Sequence, residues 1–528
     1  MPALAPTPQT SYLIWFRRDL RLEDNTALSA LTELAKQAAN QPLIKALFVV
    51  TPEQWLEHAM SLAQMDFIFR SLKKLAEALL TQLNIELHLL QARNYSQCVD
   101  TIDNFCQQHN ISHIASNYEY EVNEMARDSA LEQQLSNSGI AFHRYHDQCI
   151  LPPGSVTTND GTMYKVFTPF YKKWQSILDT SLVNLHPLAK LNHNEPDSDI
   201  LPRILASIED LHQQTLRRFL EKQFNQETTA QSLLQTTRQT YPAGEDQAYK
   251  RLQQFLAEDV QQYDIARDQP ALEATSQLSA YLTIGAISPR LCYLKAKQAA
   301  QSAYEAKAHN LNEPNEDFGA EQDIQRWISE LAWRDFYRHV MVERPDIVKG
   351  AAFNKVADQK VNWSYDLSDF EKWCKGLTGV PLVDAAMRCL NQTGFMHNRL
   401  RMVTAMFLTK DLFIDWRLGE RYFMQKLIDG DFASNNGGWQ WSASTGTDAA
   451  PYFRIMNPFS QAKTHDKDAI FIKTWLPELK DIPASFLHDE AKLRQALSKK
   501  GGFAQIDYPQ PMVDHKQGRL YAIEQFKG

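Results

Sequence analysis

The stretch Asp429–Trp441, which reads DGDFASNNGGWQW, has the composition of a binding site and not of a packing element. Two carboxylates flank one glycine, two amides and two glycines follow, and two tryptophans stand two positions apart. Glycines let a ligand or another backbone come close, because they carry no Cβ and tolerate φ > 0. Carboxylates and amides offer directed donors and acceptors. A polar loop that caps a helix is the alternative, but the combination favours a site for a flat ligand with polar edges.

The length, composition and net charge of the chain limit the classes of protein to which it can belong. With 528 residues the chain is too long for one ordinary core, so we expect two or three domains. A hydrophobic content of 44% and a charged content of 22% are typical of soluble globular proteins. The net charge of -8 argues against a polybasic binding protein, although it is compatible with a local basic groove.

Cysteine usage and the N-terminal residues indicate the compartment. The six cysteines lie far apart, with no CxxC and no Cys/His cluster, so the sequence predicts neither a disulfide framework nor a metal site. We therefore expect a reducing compartment, the cytoplasm. Residues 1–10 lack the basic end and apolar run of a signal peptide and predict a disordered tail. No apolar run reaches membrane-spanning length.

Residues 11–150 alternate short apolar stretches with amphipathic ones, which predicts an α/β domain with a doubly wound parallel sheet. Neither GxGxxG nor GxxxxGK[ST] is present, so the usual dinucleotide and triphosphate loops are not indicated. Ligands of such sheets bind at the carboxyl ends of strands. This directs attention to Asn123 and Glu124, for which helix capping and surface charge are the alternative. The predicted strands are Tyr12–Phe16, Leu43–Val50, Ile85–Leu90, His113–Asn117 and Phe142–Tyr145, and the predicted helices are Met65–Leu83, Ser96–His109 and Val122–Ser136.

The remaining chain divides into two regions. Residues 151–245 combine Pro and Gly turns with polar Gln- and Thr-rich runs, and predict a partly helical connector that crosses the surface. Helical patterns fill residues 246–479 almost throughout, and we assign 246–528 to a large all-α domain. Within it, Thr275, Ser276 and Ser279 precede an apolar run and predict a helix N-terminus, which is a ready anion site or a plain cap.

Two helical faces in this domain carry unusual residues. Glu330, Trp333, Arg334 and Tyr337 stand at i, i+3, i+4 and i+7 of WISELAWRDFYRHV and share one face. Such a stripe favours a polar, aromatic-lined cavity, with an intrahelical Glu330–Arg334 pair as the alternative.

A second face lies in TGFMHNRLRM. Asn398 and Met402 are one turn apart, flanked by Arg399 and Arg401. A helical Met is usually a core residue, but an Asn one turn before it suggests a hydrogen-bonding wall of the same cavity.

Taken together, the segments resemble the cryptochrome/photolyase family, from about residue 11 to the end of the chain. Within that family the closest resemblance is to bacterial class I cyclobutane pyrimidine dimer photolyases with a folate antenna. The segments that carry it are WFRRDLRLEDNTAL, TSQLSAYLTIGAISPR, WISELAWRDFYRH, TGFMHNRLRM, DGDFASNNGGWQWSASTGTDAAPYFRIMNP and DYPQPMVDHKQGR.

The resemblance implies that the helical domain binds FAD in a U shape, active in its reduced anionic form. Asp429 is expected to pair with Arg401, and Asn435 to face flavin N5, where a carboxylate would oppose the anion. Gly437 and Gly438 are expected to let the chain pack close to the cofactor. The residues implied to bind FAD are Tyr263, Thr275, Ser276, Gln277, Leu278, Ser279, Trp327, Glu330, Arg334, Asn398, Arg401, Asp429, Gly430, Asp431 and Asn435.

The implied reaction is the light-driven splitting of cyclobutane pyrimidine dimers in DNA, a lyase reaction that needs no metal. Glu330 is expected to hydrogen-bond the flipped dimer, and Trp333 and Trp441 to offer it flat surfaces. Asn435 would tune the flavin, and Trp439, Trp416 and Trp363 match the electron-transfer chain of the family. The residues implied to contact substrate or DNA are Arg267, Glu330, Trp333, Arg334, Tyr337, Asn398, Arg399, Met402, Trp441 and Gln461.

A second chromophore, 5,10-methenyltetrahydrofolate, is implied by Asn123 and Glu124, with further contacts from His58 and Lys349. The chain departs from the family pattern at three positions. Val348 stands where a cysteine is common, Phe395 where a tryptophan is common, and Gln277 where a basic residue is common in the phosphate loop. The last change removes a charge near the FAD phosphates.

Two alternatives stay open. A (6-4) photoproduct photolyase uses histidines in the cavity, where this chain has Asn398 and Met402. A blue-light-sensing cryptochrome without repair usually changes the position of Asn435 or lacks Glu330, Trp333 and Trp441. The expected partner is DNA that contains pyrimidine dimers. We expect no membrane association and no obligate protein partner, so the default state is a bacterial cytoplasmic monomer.

Overall fold

The structure is a computed structural model that describes residues 10–39, 42–190, 197–223, 227–309, 318–498, 502–503 and 505–527. An α/β part comes first, and helices occupy most of the chain after it. Of the predicted tail, residues 1–9 lie outside the described residues. Within the described ranges, no helix combines the length and apolarity that crossing a bilayer requires.

The sheet has five parallel strands in the order β3-β2-β1-β4-β5. This confirms the predicted doubly wound parallel sheet. The central strand β1 is buried along its whole length, because helices cover both faces. The strands are β1 Ser11–Phe16, β2 Leu43–Val50, β3 Glu86–Gln91, β4 Ile111–Asn117 and β5 Ala141–Tyr145.

Side-chain caps start several helices of this part. Asn25, Ser61 and Asn94 each accept a hydrogen bond from a backbone N–H in the first turn, which satisfies a donor that has no partner within the helix. The helices are α1 Thr26–Gln37, α2 Pro52–Glu57, α3 Leu62–Leu83, α4 Tyr95–Gln108 and α5 Val122–Asn137. The predicted bounds of α3, α4 and α5 agree with these to within three residues.

The described residues of the predicted connector form the helices α6 Phe167–Thr180, α7 Ile200–Gln223 and α8 Glu227–Thr240. It is more helical than its polar composition indicates. Ile204, Ile208 and Phe219 are buried on one face of α7, and α7 packs against α3. The apolar residues of α7 recur every three or four positions, and this spacing forms a buried stripe although the connector contains long polar runs. The domain boundaries at 150 and 245 stay a prediction.

The rest of the chain is helical, as predicted. Where the structure describes this region, the α-helices are interrupted by π turns at Phe255–Asp259 and Phe407–Asp411 and by 3-10 turns at Ile347–Lys349 and Pro477–Leu479. The helices are α9 Glu245–Gln254, α10 Tyr263–Ala266, α11 Ser279–Ile284, α12 Pro289–His309, α13 Phe318–Glu343, α14 Lys355–Lys360, α15 Leu367–Lys375, α16 Pro381–Thr393, α17 Asn398–Met406, α18 Trp416–Lys426, α19 Phe432–Ala443, α20 Pro458–His465, α21 Ile470–Trp475, α22 Ala484–Leu487, α23 Glu490–Ala496 and α24 His515–Lys527.

The two parts meet at a close backbone contact. Gly285 has φ +70°, and a Cβ placed on it would lie 2.0 Å from the carbonyl oxygen of Arg18. Only glycine fits there without displacing the loop after β1. Buried ion pairs join the same regions, with Asp147 accepting from Arg21 at 2.6 Å and from Arg290 at 2.8 Å.

Candidate functional site

The stretch Asp429–Trp441 is a tight turn followed by helix α19, and not a loop. Asp431 caps the helix, accepting from the N–H of Ser434 at 3.0 Å. Arg338 of α13 donates to the other carboxylate oxygen at 2.6 Å. Burial raises the pKa of Asp431, but the charges of Arg338 and Arg334 and the cap hydrogen bonds outweigh it and hold the pKa well below its usual range. Asp431 is therefore an anion that joins α13 to α19.

The first carboxylate of the turn forms the predicted ion pair. Arg401 of α17 donates through Nη2 to both carboxylate oxygens of Asp429, at 3.0 and 2.8 Å. Its Nε donates to the carbonyl of Met396 at 2.7 Å, and its guanidinium lies 5.5 Å from the ring centre of Phe395. Phe395 therefore keeps an aromatic surface at the position where the family commonly has tryptophan.

Two amides of α19 are oriented by one residue of α18. Asn435 donates through Nδ2 to the backbone carbonyl of Glu420 at 3.0 Å, and Asn436 donates to its carboxylate at 2.7 Å. Burial raises the pKa of Glu420 to about 7, against the lowering effect of the Asn436 hydrogen bond and the Arg417 charge. The carboxyl with this raised pKa therefore contacts Asn436, the neighbour of Asn435 in the sequence.

The two glycines of α19 have different surroundings, and neither has positive φ. A Cβ on Gly437 would lie 2.2 Å from Cδ1 of Tyr337, so this glycine lets α13 approach α19. A Cβ on Gly438 would meet no atom within 4 Å, and Gly438 is exposed. The sequence-based expectation that both glycines serve a ligand is wrong for Gly437, whose missing side chain is filled by a phenol ring.

The polar face of α13 contacts partners outside the helix. Glu330 accepts from Arg267 at 2.5 Å, whereas Arg334 donates to the backbone carbonyls of Gln148 and of Leu282, the latter at 3.2 Å. The intrahelical pair of Glu330 and Arg334 is therefore not the arrangement found. Trp333 stacks on Phe167 with ring centres 3.7 Å apart and an interplanar angle of 7°.

Helix α17 begins with the exposed Asn398. Arg399 donates to Asp268 at 2.6 Å, as Arg267 does to Glu330, so each of these two cations has an acidic neighbour. Met402, Trp441 and Gln461 are half-buried. The residues that the sequence suggested for a cavity wall lie on α13, α17 and α19, and α19 packs against both of the other helices.

The segment before α11 has the predicted helix start. Residues 275–277 and Ser279 are half-buried, Leu278 is buried, and α11 begins at Ser279. Gln277 has φ +49°, and its side-chain oxygen accepts from Arg251 of α9. Tyr263 and Trp327 are buried, with ring centres 5.6 and 5.3 Å from that of Phe255. A guanidinium from another helix thus supplies a charge where the segment itself has none.

Comparison with known proteins shows the family of this chain. Residues 12–191 match the family model described as DNA photolyase, and residues 327–528 match the FAD binding domain of DNA photolyase. A deoxyribodipyrimidine photo-lyase of Salmonella typhimurium is 40% identical over 517 residues, which are 98% of each chain. This chain belongs to the DNA photolyase family.

Solved photolyase structures have the same fold. A bacterial class III photolyase from Agrobacterium tumefaciens aligns with a TM-score of 0.77 at 27% identity, covering 100% of this chain and 99% of that one. An archaeal photolyase from Sulfolobus tokodaii aligns with a TM-score of 0.70 at 27% identity, covering 98% of this chain and 99% of that one. The second structure is described with two FAD molecules and the implication of a novel light-harvesting cofactor.

The FAD-binding domain of this photolyase has the features that a flavin requires. Open space adjoins Gly438 on the same helix that carries Asn435. The Asp429–Arg401 pair and the cation at Gln277 suit the polar edge and the phosphates of FAD. The site therefore fits FAD, the cofactor of the matched domain.

The three tryptophans predicted to form an electron-transfer chain lie in different segments: Trp416 on α18, Trp439 on α19 and Trp363 in the loop before α15. Trp439 and Trp416 are buried, and Trp363 is half-buried. A Cβ on Gly419 would lie 2.1 Å from the Trp439 ring, so α18 must have glycine there for that indole to fit. Trp439 also packs on Phe423 at 4.9 Å and on Trp373 at 6.0 Å, contacts typical of a core residue.

Three of the residues predicted to bind the antenna contact one another. His58 lies 3.0 Å from Nδ2 of Asn123 and 3.4 Å from the carboxylate of Glu124, which also accepts from Tyr95 at 2.9 Å. Burial raises the pKa of Glu124, but His58 and two arginines lower it to about 2 overall. Lys349 is exposed at the end of a 3-10 turn, and its contact stays a prediction.

Sequence reasoning missed Arg251, Arg338 and Glu420. Arg338 could have been found, because it stands one turn after Arg334 on the same helix. Arg251 and Glu420 reach the site from helices α9 and α18, whose sequences carry no motif of their own. Only the tertiary structure places them behind Gln277 and Asn435.

Proposed function

We propose that this protein splits cyclobutane pyrimidine dimers in DNA under light, using bound FAD in its reduced form. The observation that carries the proposal is a set of contacts on α13 and α19: the acid Glu330 paired with Arg267, the stacked ring of Trp333, and the oriented amide of Asn435 on the helix that has open space at Gly438. The relative in Salmonella typhimurium is named for this reaction, deoxyribodipyrimidine photo-lyase.

Recognition of the lesion begins with flipping. A dimer stacks and pairs poorly, so it leaves the duplex at lower cost than normal bases. Trp333 and Trp441 give the flipped dimer flat surfaces, and Phe167 holds the Trp333 ring in place by stacking. Arg267 pairs with Glu330 on this face, Arg399 lies on α17, and phosphate contacts from both give a binding affinity that falls with salt. A protein of net charge -8 thereby still binds DNA.

Glu330 has two states in this proposal. Without substrate its carboxylate is held by Arg267 at 2.5 Å. With a flipped dimer it hydrogen-bonds a pyrimidine edge, and Arg267 remains beside it or turns to a phosphate. Because Arg267 keeps Glu330 oriented, little conformational entropy is lost when the dimer binds. Arg334 is committed to two backbone carbonyls, which favours its predicted role on the cofactor side over direct contact with DNA.

Bound reduced FAD supplies the electron that opens the cyclobutane ring, and the electron returns afterwards, so no net redox change results. Asn435 presents a neutral amide to this site, oriented by its bond to the Glu420 carbonyl. A carboxylate there would oppose the anionic flavin. Arg401 balances the charge of Asp429 at the flavin edge. Trp439, Trp416 and Trp363 deliver electrons from the surface when the flavin is oxidised.

A folate antenna is proposed at His58, Asn123, Glu124 and Lys349. The support is the contact among the first three and an adjoining interior cavity of about 80 Å³ lined by His58, Arg18 and Gly430. That cavity is smaller than a folate, but it extends from His58 to Gly430 and so joins the proposed antenna site to the turn Asp429–Asp431. The monomeric state, the absence of an obligate protein partner and the cytoplasmic location stay predictions.

The (6-4) lesion is disfavoured by the state of His397, which adjoins Asn398 in the sequence. His397 precedes Asn398 and caps α17, with its Nδ1 accepting from the N–H of Arg399 at 3.2 Å. Burial lowers the pKa of His397 to about 4, so it is neutral at physiological pH. A capping, neutral imidazole is unsuited to donate a proton to a substrate. A repair-deficient cryptochrome is disfavoured because Glu330, Trp333, Asn435 and Trp441 are all in place.

Light-dependent repair of defined oligonucleotides tests the function. Purified protein with fully reduced FAD receives a thymine cyclobutane dimer or a (6-4) photoproduct, under blue light and in the dark. We expect restoration of the cyclobutane substrate alone and only in light. Repair of neither lesion by fully reduced protein would favour the photoreceptor, and repair of the (6-4) lesion alone would favour the second photolyase class.

A further inference from the structure

One carboxylate joins the two outer tryptophans. Oδ1 of Asp358, on α14, accepts from Nε1 of Trp363 at 3.1 Å and from Nε1 of Trp416 at 3.2 Å. Its other oxygen accepts from Nη2 of Arg417 at 2.7 Å. The two indoles are distant in sequence and belong to different segments, yet they share a single acceptor atom. The Asp358 side chain is 16% exposed, so water screens its charge only in part.

Arg417 makes the two indoles inequivalent. Its guanidinium carbon lies 4.5 Å from the ring centre of Trp416, and its Nε donates to the carbonyl of Gly350 at 2.6 Å. A cation over a ring disfavours positive charge on that ring. Trp416 is fully buried, whereas Trp363 is half-buried and gains some hydration. Both differences make a positive charge less costly on Trp363 than on Trp416.

We propose that Asp358 is a positioning residue for the electron supply, stabilising positive charge on Trp416 and Trp363 through their shared hydrogen bonds. The inference rests on the electron-transfer role proposed above for these tryptophans. A carboxylate at hydrogen-bond distance favours the oxidised, positively charged form of an indole. Because Asp358 touches both rings, it lowers the cost of oxidising either one, and Arg417 biases the charge towards the surface.

The electron balance is simple. One electron passes from Trp363 to oxidised Trp416, which returns to the neutral closed-shell indole, and Trp363 becomes a radical cation. No bond is made or broken in this step. A soluble thiol then gives one electron to Trp363, so the chain itself ends unchanged. Asp358 keeps its charge throughout, and its contribution is electrostatic.

The competing explanation is purely structural. Asp358 could serve only to fix α14 and Arg417, which also pairs with Asp415 at 3.1 Å. Asp358→Asn distinguishes the electrostatic role from the structural one, because the amide oxygen still accepts from both indoles while the charge is lost. Asp358→Ala removes both charge and acceptor. Asp369→Asn is the matched control, an exposed acid on α15 that pairs with Lys372.

The measurement uses full-length protein with oxidised FAD and an excess of a thiol. Transient absorption after a light pulse gives the yield and lifetime of the tryptophan radical, and steady illumination gives the rate of flavin reduction. We expect Asp358→Asn to lower the long-lived radical yield at least fivefold, with Asp369→Asn unchanged. Repair by chemically reduced Asp358→Asn protein should equal that of the parent, because the tryptophan chain is then not needed.

Controls distinguish failure of this inference from failure of the tryptophan chain. Trp363→Phe and Trp416→Phe should each abolish the long-lived radical. If they do and Asp358→Asn matches the parent protein, the inference is overturned. If neither tryptophan variant has an effect, the chain itself is wrong, and the inference falls with it.

A measurement on the parent protein needs no Asp358 variant and holds if that variant misfolds. Light-minus-dark infrared difference spectra, with aspartate labelled isotopically, should show a shifted carboxylate band while the tryptophan radical lives. The band should vanish in Trp363→Phe. A spectrum with the radical present and no aspartate band would overturn the inference.

Discussion

Arg267 donates to Glu330 at 2.5 Å, across the face where a flipped dimer is proposed to bind. The Arg267 side chain is 11% exposed and that of Glu330 is 32% exposed, so the acid is the more accessible of the two. Removing the acid would leave a mostly buried cation without its partner, at a cost larger than the value of a surface pair. A test of Glu330 therefore needs a substitution that removes the charge but keeps the size and shape of the side chain, as Glu330→Gln does.

We expect Glu330→Gln to lower repair per photon at least tenfold while changing affinity for dimer-containing DNA less than threefold. The amide still hydrogen-bonds the dimer and Arg267, but it lacks the charge that stabilises a polarised lesion. The measurement is single-turnover repair under saturating DNA, with affinity measured in the dark. Equal losses in repair and binding would contradict the assigned role. Glu343→Gln, near the end of the same helix and exposed, is the control.

A second prediction concerns Arg251, which lies behind Gln277 in the phosphate segment. Arg251→Ala should weaken FAD retention about tenfold, because it removes the positive charge that compensates for an uncharged residue at position 277. The dissociation constant for FAD, from flavin fluorescence on dialysis, checks this. Lys250→Ala on the same helix should retain FAD normally, since the Lys250 side chain is 69% exposed. Unchanged FAD affinity in Arg251→Ala would contradict the proposed role of Arg251 as the positive charge at the FAD phosphates.

The sequence predicted the sheet and the helical domain, because hydrophobic periodicity is a local signal, and its long motifs suggested the candidate site residues. The sequence-based predictions failed where contacts between distant segments of the chain determine the role of a residue. Gly437 looked like a ligand-facing glycine, yet it is a packing position for Tyr337. Arg251 and Asp358 lie on helices without a motif, so only their tertiary contacts reveal them.

The two glycines of α19 offer a matched pair of variants. Gly437→Ala should destabilise the protein by about 1–3 kcal/mol, because its Cβ would overlap the Tyr337 ring unless α13 moves. Gly438→Ala has room for the methyl group and should stabilise the helix in the FAD-free protein by about 0.5–1 kcal/mol. Thermal unfolding of both, without FAD, measures the difference.

Addition of FAD extends the glycine test. The proposed flavin lies on the Gly438 side of α19, so Gly438→Ala should weaken FAD binding even though it raises the unfolding temperature. Gly437→Ala should act mainly on stability. A Gly438→Ala protein that binds FAD as tightly as the parent would place the cofactor away from that face.

The pKa of Glu420 predicts a pH dependence of stability. Burial raises it from the usual 4.5 to about 7, so between these values the folded state holds a proton that the unfolded state has released. Stability therefore falls as pH rises from about 4.5 to about 7, and the full loss persists above that. The contribution is at most about 3 kcal/mol, and less because the side chain is partly exposed.

Glu420→Gln keeps an acceptor for Asn436 and removes the titration. We expect this variant to gain stability relative to the parent at pH 8 but not at pH 5, measured as unfolding temperature at both values. Glu273→Gln, an exposed position, should follow the parent at both. The same comparison with reduced FAD bound should widen the difference at pH 8, because an anionic flavin near Asn435 would disfavour the ionised carboxylate further. If the unfolding temperatures of Glu420→Gln and the parent change by the same amount between pH 5 and pH 8, Glu420 is ionised in the folded protein throughout this range.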